Sequence, residues 1–123
     1  HGHQLVVYVE PSKLGTVWSR RILDAKLKDG HALGCANFDG DGDEELIVGW
    51  RGASDTNVRP GLAIYDPQDE AWNRGRKYIV DDGAMATEDL VVVDLNQDGF
   101  MDVVAAGRAT HNVKIYWHSG KTD

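Results

Sequence analysis

The chain has 123 residues, 41% of them hydrophobic and 27% charged, enough for one hydrophobic core and short for two. Its formal charge is −7 and its basic residues are scattered; nucleic acid is therefore not an expected partner, because the phosphate backbone calls for clustered Lys and Arg. No apolar run reaches the roughly 18 residues of a membrane-spanning helix, so no membrane partner is expected, and the single cysteine excludes an internal disulfide and a cysteine-based zinc site.

In chain order, the first strand-like run is 4–9, inside "HGHQLVVYVE". A chain that opens this close to a strand is expected to follow a leader or a further domain. Short β-branched and apolar runs then alternate with Gly, Asp and Asn punctuation at 17–23, 31–37, 45–50, 61–66, 76–80, 88–94, 102–107 and 112–117. This pattern predicts nine strands and an all-β fold. Cys35, in "ALGCANF", reads as a small buried hydrophobe.

Shifting the sequence by 57 positions pairs Leu5 with Leu62, Tyr8 with Tyr65, Asp24 with Asp81, Leu33 with Leu90, Asp41 with Asp98, Gly42 with Gly99 and Arg51 with Arg108. The start recurs once more near the end, "HQLVVY" (3–8) against "HNVKIY" (111–116). The chain thus divides into repeat units of about 3–59 and 60–110 and an extra strand at about 111–118. Four strands per repeat of this length is the grammar of a β-propeller blade. If the strand before each acidic loop is innermost, the order is third, fourth, first, second, the same four again, and one extra third strand. A closed ring of six to eight such blades takes about 340 to 460 residues. The expected partners are therefore the remaining blades of a larger propeller or further copies of this chain.

Two loops carry the chemistry. Residues 37–45 read N-x-D-x-D-G-x-x-E and residues 94–102 read D-x-N-x-D-G-x-x-D. Oxygen side chains fall at positions one, three, five and nine, with Gly at six for the sharp turn, which is how a short loop wraps a hard cation. The first site would use Asn37, Asp39, Asp41 and Glu45, and the second Asp94, Asn96, Asp98 and Asp102. At position seven, Asp43 and Phe100 would contribute backbone carbonyls. Two calcium ions per chain are expected; magnesium fits less well because it demands octahedral geometry and keeps its waters. The alternative is an Asx-rich turn without metal. An EF-hand is excluded, since position twelve is Val48 or Ala105 and the flanks read as strands. Loops of modest calcium affinity fill where calcium is abundant, so an extracellular or periplasmic location is expected.

These loops, each followed by a small apolar strand ("ELIVGW", "DVVAAG"), resemble the FG-GAP or VCBS repeats of calcium-binding β-propellers, including the blades of integrin α-subunits. A closer likeness, through "GHALGCANFDGDGDEELIVGWRG", "EDLVVVDLNQDGFMDVVAAGRATHNVKIYW" and "HGHQLVVYVEP", is to the propeller part of the aldos-2-ulose dehydratase family. That resemblance implies a metal-assisted lyase that dehydrates or isomerises keto-sugars, with a carbohydrate as ligand. The family's additional cupin domains have no counterpart in these residues.

Blade geometry places His31, Glu88, Asp89, Arg51, Arg108, His3 and His111 on the face away from the acidic loops. Sugar dehydration needs a base beside a carbonyl, a group to stabilise the enolate and an acid for the departing hydroxyl. His31 or His111 is the candidate base, Glu88 the candidate acid or a ligand of a second metal, and an Arg the oxyanion partner. The competing structural reading pairs Arg51 and Arg108 with carboxylates of a neighbouring blade. Trp18, Trp50, Trp72 and Trp117 are expected to pack between blades rather than stack on sugar.

Overall fold

The computed structural model describes residues 2–52 and 57–120. Nine strands form, and no helix occurs among the described residues. They are β1 (Leu5–Val9), β2 (Ser19–Asp24), β3 (Gly30–Ala36), β4 (Glu45–Trp50), β5 (Gly61–Pro67), β6 (Gly75–Asp82), β7 (Thr87–Val93), β8 (Asp102–Gly107) and β9 (Asn112–Tyr116). Each strand pairs antiparallel with its neighbour in sequence, giving the sheets β1-β2, β3-β4-β5-β6 and β7-β8-β9. One complete four-stranded sheet therefore stands between two partial ones, and the three do not close a ring.

Strand alternation explains how the sheets stack. In β3, Ala32 and Ala36 are buried while His31, Leu33 and Cys35 are exposed, so the small residues face β7-β8-β9. One apolar cluster unites Ala36, Phe38, Ile47 and Leu62 with Met85, Val103 and Ala105 between the middle and last sheets. Another unites Leu5 and Leu27 with Val48, Trp50, Ala63 and Tyr65 between the first and middle sheets. The middle sheet is thus apolar on both faces, as a layer between two others must be. Two glycines allow the close approach of the middle and last sheets. A Cβ at Gly34 would lie 2.9 Å from Val92 Cγ2, and one at Gly49 would collide with Thr87.

Cys35 departs from expectation because it is exposed. The β1-β2 sheet packs on β4 and β5 and leaves this face of β3 uncovered. The tryptophans divide as well: Trp50 is buried between sheets and donates Nε1–H to the Arg59 carbonyl (2.6 Å), whereas Trp18 and Trp117 are exposed.

A polar latch joins each pair of sheets. Asp24, on β2, accepts hydrogen bonds from the Tyr65 hydroxyl and from Lys77 Nζ, both at 2.7 Å. Asp81, on β6, accepts them from the Tyr116 hydroxyl and Lys114 Nζ, both at 2.8 Å. Burial alone would raise both aspartates; the hydrogen bonds to lysine, tyrosine and backbone N–H more than offset it and hold them below the usual carboxylate range. Each latch tyrosine is pushed upward by burial and by its aspartate.

Candidate metal centre and the opposite face

The β3-β4 and β7-β8 connections are the two acidic loops. In the first, Gly40 and Gly42 take positive φ (83° and 104°); in the second, Gln97 and Gly99 do (60° and 91°). Glycine at position six was legible from the sequence; the left-handed residue at position four was not, because Gln97 carries no such signal. Each loop is also tied internally by aspartate and asparagine side-chain oxygens that accept backbone N–H groups two to five residues on. In the first, Gly40 donates to Asn37 (2.6 Å), Asp41 to Asp39 (3.0 Å) and Asp43 to Asp41 (2.9 Å).

Position nine distinguishes the loops. Glu45 is 1% exposed; its Oε2 accepts the Phe38 N–H at 2.5 Å, while its Oε1 is buried with no hydrogen-bond partner. Ligand oxygens of Asp39, Asp41 and Glu45 lie within 4.8 Å of one another. Burial, then the charges of Asp39, Asp41 and Asp66, raise the Glu45 carboxyl above its ordinary range, against the opposing Phe38 hydrogen bond. Three converging carboxylates with one orphaned buried oxygen form a set of oxygen donors that could hold a divalent cation.

Asp102, the equivalent residue, is 0% exposed, but both of its oxygens are engaged. Oδ2 accepts the Leu95 N–H (3.1 Å) and Oδ1 the His118 N–H (2.8 Å). Asp94 accepts the Asp98 and Gly99 N–H groups, and Asp98 is bridged by Asn96 Nδ2 (2.8 Å) and the Phe100 N–H (3.0 Å). The Phe100 and Asn96 hydrogen bonds hold the Asp98 carboxyl below its usual range. No second group of converging carboxylates occurs among the described residues. Asp43 and Phe100 are exposed at position seven.

At the far ends of β3 and β7 the ladder shifts register between Gly30 and Ala32 and again between Thr87 and Asp89. The bulged residues, His31 and Glu88, are 57 positions apart and meet across the sheets, since a bulge re-aims its side chain. His31 Nδ1 lies 2.9 Å from the Glu88 carbonyl and 3.5 Å from Glu88 Oε2. Arg51 Nη1 donates to Glu88 Oε1 at 2.9 Å, the cross-blade pairing that the structural reading of Arg51 anticipated. Glu88, Arg108 and His111 line one recess of about 470 Å³. His31 and Glu88 are therefore in contact, and His111 shares only the recess. Sequence reasoning missed the latch partners Lys77, Lys114 and Tyr116; the 57-residue pairing of Asp24 with Asp81 was the available signal.

The family model of the FG-GAP-like repeat matches residues 37–105, which run from the first acidic loop through the second. The chain belongs to the FG-GAP-like repeat family. Repeats of this family are of β-propeller type, which accounts for the three stacked sheets. No curated protein matches the chain, and the finer likeness to sugar-dehydratase propellers gains no support from a relative of known activity.

Proposed function

We propose that this FG-GAP chain is a calcium-stabilised propeller module with a structural or binding role, its blades completed by further blades or by copies of itself. One observation carries the reading: the orphaned Glu45 Oε1, buried beside Asp39 and Asp41. Asn37, Asp39, Asp41 and Glu45 would hold the ion, which supplies positive charge and fixes the turn between β3 and β4. The second loop offers Asp94, Asn96, Asp98 and Asp102, but most of their oxygens already accept hydrogen bonds, so its calcium binding is the weaker. Modest affinity suits an extracellular or periplasmic setting, where calcium is plentiful. Thermal melting tests the reading. At calcium 100-fold above Kd a ligand of the native state adds about 2.7 kcal/mol, or about 10 °C for a domain of this size. A melting temperature indifferent to millimolar calcium and to chelator discards it.

A second reading, a keto-sugar lyase, is favoured by the contact of His31 with Glu88 and by the recess that Glu88 shares with His111. Here His31 is the base and Glu88 the acid. Turnover of a keto-sugar, followed by the ultraviolet absorbance of an enone, tests it; absence of signal, or activity unchanged in His31→Ala, removes it.

A further inference from the structure

The neighbouring strand sets the surroundings of position nine in each acidic loop. The ladders pair Leu46 with Tyr65 and Val103 with Tyr116, so the residues that follow each tyrosine pass beside Glu45 and beside Asp102. By this register Asp66, Pro67 and Gln68 are the counterparts of Trp117, His118 and Ser119. His118 donates its N–H to Asp102 Oδ1 at 2.8 Å. Pro67 has no N–H to donate, and Glu45 Oε1 is the buried oxygen left without a partner.

Asp66 widens the difference. It is 4% exposed and lies one step beyond Tyr65, opposite Glu45 by the ladder register. Both of its oxygens accept hydrogen bonds from Gln68 Nε2, at 2.9 and 2.8 Å, a neutral amide that leaves the charge of the carboxylate in place. Arg76, its partner across β6, is exposed, where solvent screens its charge. Asp66 is accordingly among the acids whose charges bear on Glu45. Its counterpart beside the second loop, Trp117, is exposed and uncharged.

We infer that Pro67 and Asp66, outside the acidic motif, are the residues that leave the first loop open to a divalent cation. Pro67 withholds the backbone donor that closes the second loop, and Asp66 adds negative charge beside Glu45. The inference rests on the calcium reading proposed above and names what tunes that site. Asp66 is not among the converging carboxylates; both residues act through Glu45 and are positioning residues rather than ligands. A buried acceptor without a donor is costly, and a cation relieves that cost only where the backbone has not already done so. Supplying the donor should therefore weaken the ion, and the reverse exchange, His118→Pro, should open the second loop.

Calorimetric titration of the full chain with calcium chloride tests this. Pro67→Ala is expected to weaken the stronger binding event about tenfold, the worth of one hydrogen bond to a charged group. Asp66→Asn is expected to weaken it about threefold, more at low salt than at high. In Glu45→Gln, where only the second loop reports, adding His118→Pro is expected to tighten binding about tenfold. Melting separates this role from a merely structural one. Each variant is compared with itself in calcium and in chelator, which cancels the effect of proline on the unfolded chain, and the rise that calcium brings should shrink in Pro67→Ala and in Asp66→Asn. Native affinity in either variant, with far-ultraviolet circular dichroism unchanged, overturns the assignment, and so does second-loop binding that ignores His118→Pro. Those results leave the calcium reading in force, whereas a native chain that takes up no calcium removes both.

Discussion

The two acidic loops share spacing, turn glycine and a buried carboxylate at position nine, yet they leave that carboxylate in opposite states. In both, one oxygen accepts the N–H of the residue at position two, Phe38 or Leu95. The second oxygen of Asp102 is taken by the His118 N–H, whereas Glu45, longer by one methylene, keeps Oε1 beside Asp39 and Asp41 without a partner. Loop spacing therefore specifies a turn, and the residue two beyond the tyrosine of the neighbouring strand differs: His118 donates its N–H to Asp102, whereas Pro67, in the equivalent register beside Glu45, has no N–H to give.

Asp102→Ala offers the harshest test of this contrast. It strips the acceptor from two backbone N–H groups, at about 1–3 kcal/mol for each one left unsatisfied, so a loss of about 3 kcal/mol is expected by urea denaturation. The loss should be nearly the same with calcium as with chelator. If it disappears in chelator, Asp102 serves an ion rather than the backbone and the contrast breaks.

Glu45→Gln comes next in size. In calcium the variant should lose most of the ion's increment, about 2.7 kcal/mol at 100 Kd. In chelator it should melt at or above the native chain, because a neutral amide relieves the repulsion from Asp39 and Asp41. Calorimetric titration checks the same point: the stronger of the native chain's binding events should be lost in the variant. Destabilisation of equal size with and without calcium would make Glu45 a structural residue like Asp102.

The latch carboxylates give a third comparison, between a buried acid held by cations and one facing other acids. Asp81 is depressed in the folded state, so its contribution is complete above the unfolded value of about 3.9. As pH falls below that value the unfolded chain takes up the proton first, and the contribution is lost on the way down to the folded value. Asp81→Asn should cost about 2 kcal/mol near neutrality, the range of hydrogen bonds to a charged group. The cost should shrink below about pH 4, measured by melting in chelator so that calcium ligands do not contribute. A cost independent of pH would show that the Tyr116 and Lys114 bonds do not depend on the charge.

The nine strands, their sheet phase and both acidic turns were legible because alternation and Gly-Asx punctuation are local signals. The 57-residue repeat also brought out Asp24 and Asp81. Their partners were not legible: Tyr116 lies 35 residues from Asp81, and only sheet stacking brings them together. Cys35 was misjudged for the same reason, since its neighbours are apolar along the chain and its exposure depends on which strands the β1-β2 sheet covers. Nor does spacing distinguish Glu45 from Asp102, because the deciding contact comes from His118, beyond the end of β9.

The smallest effect concerns position four, where the first loop has Gly40 and the second Gln97, both with positive φ. A side chain in this region costs about 1–2 kcal/mol relative to right-handed backbone, while glycine avoids that cost and loses more entropy on folding. Gln97→Gly should therefore stabilise the second loop by less than about 1 kcal/mol, and Gly40→Gln should destabilise the first by a similar amount. Both are read as shifts in urea midpoint at constant slope. Calcium sharpens the comparison: on the proposed calcium reading the ion would hold the first loop in its turn, so Gly40→Gln should also weaken calcium binding. Gln97→Gly should leave calcium binding to the first loop unchanged, because the second loop is closed by its own hydrogen bonds.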